Sequence, residues 1–338
     1  MRVEISSSNQ NNDKMDPMKS KQRLINQVSL IVGSGLIILF FSEFFFVNEG
    51  PVLSVISQLS DIPALALTII QLTSWYALFA LWLLIPIRAF KVRSIWALYL
   101  CACLCGWAIE GLIIPVLYTD LPFSILWPSL SWHVFVNILF GWMGLRKLLL
   151  RNHYLLTAAI ALAMGLFWGF WATWFWDGSQ TPIDPRSFFL FTLFATTLLL
   201  AGFFIVDRLG GTDFKMSKTG MILAVIFSFL VWLLSNWALT PLQLIFPVLV
   251  GLVSIPLRKN KQVEERNSIL FTFRGKIKIL NLLLMFLMPL AAGLTYPIYY
   301  NQHISFTGYW VLLWVIILAS VVLFVMSLIR IYQLASQH

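Results

Sequence analysis

The sequence predicts an all-α, polytopic transmembrane helix bundle of about ten spans with both termini cytoplasmic. Three observations lead there: a composition too apolar for a water-facing surface, apolar runs of bilayer-crossing length, and basic residues that sort to one side of those runs. Hydrophobic residues make up 59% of the chain and charged residues 11%, with a mean hydropathy of +0.85. A soluble domain is about a quarter charged and under half apolar. Most of this chain must therefore have lipid as its solvent.

The runs lie at 27–47, 64–87, 95–117, 124–145, 154–176, 187–206, 219–238, 242–257, 279–299 and 308–329. Each is near the roughly 20 residues that a helix needs to cross a bilayer. The eighth is short and follows the seventh through a tight Ala238-Leu-Thr-Pro turn, so the pair also reads as one re-entrant unit. With the N-terminus cytoplasmic and ten crossings, every Lys and Arg except Arg186 falls on the cytoplasmic side, the bias that fixes topology in short loops. Deleting one span would scatter the later clusters, so the same distribution supports an even count. Glu49, Asp61, Asp120, Asp177 and Asp184 fall on the outer side, either as an acidic vestibule or as loop residues left by the exclusion of Lys and Arg.

Three regions follow. Residues 1–24 read as a disordered cytoplasmic tail, being polar, Ser- and Asn-rich and without the apolar core of a signal peptide. Residues 25–150 hold spans one to four and the polar residues discussed below. Residues 151–338 hold spans five to ten, mainly apolar scaffold. The loop beginning Gly50-Pro-Val-Leu is apolar enough to lie in the interface or dip into it. The place expected is the plasma membrane, a bacterial inner membrane, with the lipid bilayer as the constant partner.

Several functions are excluded or disfavoured. The net charge of +9 is dispersed among short clusters, with no basic domain to hold nucleic acid. Cys101, Cys103 and Cys105 alternate within one apolar run, which sends them to different helix faces and suits buried filler rather than a metal site. No phosphate-binding loop, nucleophile elbow or paired-cysteine motif is present. No cofactor and no metal is expected, since the spans supply a single His at depth and no His-x-x-x-His or His-Glu-x-x-His pair.

What remains is polar chemistry inside the outer half of the first four spans. At 1.5 Å per helical residue, Glu43 lies about one turn from the outer end of span one, and Glu110 about two turns into span three. His133 lies two to three turns into span four with Asn137 one turn deeper on the same face. Gln71, with Thr68 and Ser74, falls at similar depth on span two. An ionised side chain facing lipid costs about 2.5–3.5 kcal/mol on insertion scales. The carboxylates are therefore expected to turn inward, with His133 as partner. Gly106, Gly111 and Gly141 thin the walls around them and permit close helix approach. Glu43, Gln71, Glu110, His133 and Asn137 form the candidate binding cavity, open to the outer side.

Aromatic residues crowd the outer ends, as an interfacial belt does. In the run from Phe167 to Trp176, Trp168, Trp171, Trp174 and Phe175 lie close to one helical face, which reads as packing or as a groove for a lipid chain. His133-Val-Phe-Val-Asn137 has the His-x-x-x-Asn form of the last motif in CAAX-type intramembrane proteases. The upstream paired glutamates of that family are absent, Glu264-Glu265 being in a basic loop downstream, so the chain is not assigned to it. Three functions stay open: a carrier or permease-like protein for a small or amphiphilic solute, a non-catalytic assembly or sensor component, and an intramembrane enzyme acting on a lipid-linked substrate. No catalytic residue is assigned.

Overall fold

The computed structural model describes residues 17–46, 50–174, 182–210, 214–236, 240–260, 268–304 and 308–336. Most of the expected tail, together with Glu49, Phe175, Trp176, Asp177, Trp237, Ala238 and Glu264-Glu265, lies outside the described residues. Among the described residues there is no strand, and ten helices are long and apolar enough to cross a membrane. The chain is an integral membrane protein.

The spans are α1 (Lys21–Phe44), α2 (Ile62–Ala89), α3 (Ile95–Ile113), α4 (Ile125–Leu150) and α5 (Tyr154–Trp171). They continue as α6 (Pro185–Leu209), α7 (Lys218–Ser235), α8 (Pro241–Asn260), α9 (Ile279–Asn301) and α10 (Tyr309–Leu334). The seventh and eighth runs are two separate helices, each long and apolar enough to cross a membrane. Helix begins at Pro17, ahead of the first span, so residues 17–24, grouped with the tail on composition, are helical. Proline suits a first helical turn because its missing N–H has no partner there in any case.

Helix starts follow ordinary capping chemistry. Asp61 accepts from the Ala64 N–H at 3.1 Å, Ser94 from Ala97 at 3.2 Å and Ser217 from Gly220 at 3.0 Å. Asp184 caps α6, accepting from the N–H groups of Arg186 and Ser187 at 3.1 and 3.0 Å. A side-chain hydrogen bond from Ser187, followed by these backbone donors, holds its carboxyl below the ordinary carboxylate value.

The bundle is built around α3. In its most apolar window 83% of residues are buried, against 6% in α7, so α3 is central and α7 peripheral. α3 packs on α2, α4, α8 and α10, and its last turn on α7; α1 packs on α2, α4 and α6; α9 packs between α5 and α6. Small residues set the closest approaches. A Cβ on Gly35 would meet the backbone of Ala77 at 2.7 Å, and one on Gly33 the Gly202 carbonyl at 2.9 Å. Gly165 and Gly169 form a Gly-x-x-x-Gly pair whose added Cβ atoms would lie 2.1 Å from the Met288 carbonyl and 2.7 Å from that of Ala292.

The tryptophans correct an expectation. Trp127, Trp132, Trp168, Trp171 and Trp174 are buried, so they are core rather than interfacial belt, and Trp168, Trp171 and Trp174 pack inside the bundle. Trp132 lies 6.0 Å from Trp171 and 4.9 Å from Phe46, ring centre to ring centre, and Phe40 packs edge-on against Trp168 at 5.3 Å. Trp132 and Trp171 also donate their indole N–H groups to the carbonyls of Phe41 and Phe46, at 2.9 and 3.1 Å. A buried indole needs such an acceptor. The helix at Gly50–Ser57 dips into the bundle with Val52 and Val55 buried. Cys101, Cys103 and Cys105 are free and buried.

At the opposite end of the bundle from this helix, Arg146 is 2% exposed, with its guanidinium 4.7 Å above the Phe273 ring. Its sequence reading as a solvated topology determinant missed this burial. Gly165→Ala tests the packing. The added methyl cannot avoid the Met288 backbone, so the overpacking cost of about 1–3 kcal/mol is expected as a lower melting temperature in detergent. Gly251→Ala, where a Cβ meets nothing within 4 Å, is the control expected to leave melting unchanged.

Candidate functional site

Four of the five expected site residues lie in segments that wind more widely than an α-helix. Phe40–Phe44, Ile109–Ile113 and Ile125–Leu145 are π-helical, and they carry Glu43, Glu110, and His133 with Asn137. Such windings bond i to i+5, leave the regular ladder and recur at functional sites. Their loosened carbonyls need other donors at membrane depth. Tyr118 donates to Gly111 O at 2.9 Å and accepts from Trp232 at 3.0 Å. Asn236 reaches Gly111 O at 3.3 Å and Trp107 reaches Ile125 O at 3.0 Å; between the π-helical segments, Ser124 reaches Leu117 O of a 3-10 turn at 2.7 Å. In α4, Trp127 is extended, as the residue before Pro128 is biased to be. Ser129 and Ser131 donate to the carbonyls of Ser124 and Leu126 around that break, at 2.9 and 2.8 Å.

Gly106 then brings α3 against α4. A Cβ there would lie 2.2 Å from Ser129 O and 3.4 Å from His133 Cβ. One turn further along α3, Glu110 Oε1 meets His133 Nε2 at 2.6 Å. Glu110 is 9% exposed and His133 5%, so this contact is shielded from lipid and mostly from water. On the other edge of the ring, Asn137 Nδ2 lies 2.8 Å from His133 Nδ1, and Ser42 Oγ lies 3.2 Å from it. This set fits the tautomer with its proton on Nε2: Nε2–H donates to Glu110, while Nδ1 accepts from the Asn137 amide. Asn137 is fully buried, and its Oδ1 has no hydrogen-bond partner.

Glu43 stands nearby, half-buried, and the Tyr76 hydroxyl donates to its Oε1. Both groups, with Ser42, Glu110 and His133, line a cavity of about 550 Å³. Its polar floor is walled by Phe79, Ile109, Ile113, Phe123 and Trp127, with Thr119 and Asp120 of the connection between α3 and α4 at the rim. Trp75 and Ile114 line it too and are 40% and 56% exposed, so one wall opens sideways between α2 and the end of α3. The chamber is amphiphilic.

Gln71 is not part of it. Its side chain is exposed on the outward face of α2, in line with Leu67 and Trp75, and it does not line the cavity. Ser74 is exposed and donates to Ile70 O at 2.7 Å, within its own helix. The inward face of α2 is set one residue away, by Leu72, Tyr76 and Phe79. The helix is apolar all round, so hydropathy offers no contrast from which to choose the buried side. Tyr76 and Ser42 are the residues that sequence reasoning missed. Ser42 was accessible through its place beside Glu43, whereas Tyr76 needed the correct face of α2. Among the described residues, no group of three His, Cys, Asp or Glu side chains is placed to hold a metal ion.

A double-mutant cycle on melting free energy tests the central pair. Glu110→Gln and His133→Gln are expected to couple by about 1.5–3 kcal/mol, the value of a hydrogen bond to a charged group, whereas Glu110→Gln and Gln71→Ala are expected to be additive. Compared with known proteins, the chain matches no family model, no curated protein and no solved structure, so its function rests on the chemistry of this site alone.

Proposed function

We propose that the protein is a carrier or permease-like protein of a bacterial plasma membrane, with both termini cytoplasmic and the cavity on the outer side. The cavity takes an amphiphilic solute, its polar part on the Glu43, Glu110 and His133 floor and its apolar part along the wall that opens to lipid. The observation that carries this reading is the buried carboxylate–imidazole pair at the bottom of an amphiphilic chamber of drug-like size.

The pair offers a way to couple protons to occupancy. With neutral His133, Nδ1 accepts from the Asn137 amide. A proton added at Nδ1 turns that nitrogen into a donor, and rotation of the amide presents Asn137 Oδ1, now without a partner, as its acceptor. Asn137 thus serves either protonation state, and Glu110 neutralises the imidazolium. Below the floor, a Cβ on Gly141 would lie 2.2 Å from the Phe41 ring, and Trp142 donates to Ser34 at 2.9 Å. The α1–α4 contact is closed there. Opening to the other side needs movement of α1 against α4, for which the glycine contacts of α1 with α2 and α6 leave smooth surfaces.

A second reading, an intramembrane acid–base enzyme on a lipid-linked substrate, is favoured by one observation: His133 is held between a carboxylate and an amide, the setting of an oriented general base. Uptake of radiolabelled amphiphiles into proteoliposomes under an imposed pH gradient separates the two. The carrier predicts gradient-driven uptake that Glu110→Gln abolishes while the protein keeps its melting transition. Product formed in detergent without any gradient, and lost in His133→Ala, would replace it with the enzyme.

A further inference from the structure

The charge balance of the cavity narrows its ligand. The whole chain carries +9, yet among the described residues lining the cavity there is no Lys or Arg, while Glu43, Glu110 and Asp120 are all present. His133 is the one lining group able to become a cation, and its contact at 2.6 Å matches it to Glu110. Beyond that pair the lining holds two further carboxyl side chains, Glu43 on the floor and Asp120 on the rim. Low-dielectric walls strengthen the field of such groups and concentrate counter-ions. An anionic headgroup would meet like charge at both levels.

The walls add a second preference. Trp75, Tyr76, Phe79 and Trp127 line the space between floor and rim. Aromatic faces attract a cation with an estimated strength of about 2 kcal/mol or more when water is removed. A small hydrated cation would gain little from them, whereas an amine or quaternary ammonium shields its charge with carbon and stacks well. The partly exposed Trp75 and Ile114 leave one wall of the lining open on the side of the bundle, a route that suits a ligand that first partitions into lipid.

Resting on the reading of the cavity as an amphiphile site, we infer that its ligand class is the lipophilic organic cation. The test uses the full-length protein in nanodiscs of zwitterionic lipid, with empty nanodiscs subtracted. The probes are tetraphenylphosphonium, tetraphenylborate and neutral triphenylphosphine oxide, followed by isothermal titration. The phosphonium is expected to bind at least about tenfold tighter than the borate or the oxide, roughly the factor from one desolvated cation–π contact. Trp75→Ala should weaken that binding, and Asp120→Asn should shrink the preference for the cation. Asp120 is exposed, so this variant keeps the fold even where Glu43→Gln does not. Equal or tighter binding of the oxide or the borate, lost in Trp75→Ala, would overturn the cation assignment and leave the amphiphile site standing. Failure of all three probes to bind would overturn both.

Discussion

Everything at the site depends on how closely α3 and α4 approach at one point. Gly106 has no Cβ, and the Ser129 carbonyl occupies the space where one would be, 2.2 Å from its ideal position. One turn along, that contact places a carboxylate and an imidazole 2.6 Å apart. Each alone would be expensive at membrane depth, because a polar group without a partner in an apolar setting keeps its full desolvation cost. Together they satisfy each other, and α1 and α4 supply Ser42 and Asn137 to complete the ring. The pair is thus also a constraint on the fold, since sliding α3 against α4 would separate the two groups.

The same economy governs the backbone around it. Wide helical turns at the ends of α1 and α3 and along α4 expose carbonyls that regular helices would bond internally. Indole, phenol and amide groups take them up: Trp132 on α1 and Trp171 on the turn that follows it, Tyr118 and Asn236 on α3, Trp107 on the entry to α4. Trp107, Trp132 and Trp171 supply donors where water is absent, whereas Trp168 is enclosed by ring packing alone, its N–H having no partner among the described residues.

The sequence made the architecture and half of the site legible, for different reasons. Span count and limits followed from apolar length, because a bilayer imposes the same minimum on every helix. Glu110, His133 and Asn137 were readable because a titratable group in an apolar run has few places to go, and His-to-Asn spacing fixes a shared face. Gln71 failed because depth alone was used where facing was needed, and an evenly apolar helix does not reveal its facing. Tyr76 was hidden for the same reason. The tryptophans misled in the opposite sense, since the rule that puts them at the interface takes no account of backbone carbonyls left open by π-winding, which a sequence read at 3.6 residues per turn does not show. Burial of Arg146 was equally invisible, because its charge is covered by Phe273 from a loop more than a hundred residues away.

The central claim is that Glu110 and His133 are hydrogen-bonded partners away from lipid. Nitrogen-15 NMR of histidine-labelled protein in nanodiscs reads this directly, with His133→Gln assigning the signal among the four histidines. The account predicts an Nε2-bound proton with slow solvent exchange and a hydrogen-bonded shift that changes in Glu110→Gln. A His133 ring that titrates as a free imidazole, with rapidly exchanging protons and no response to Glu110→Gln, would contradict it.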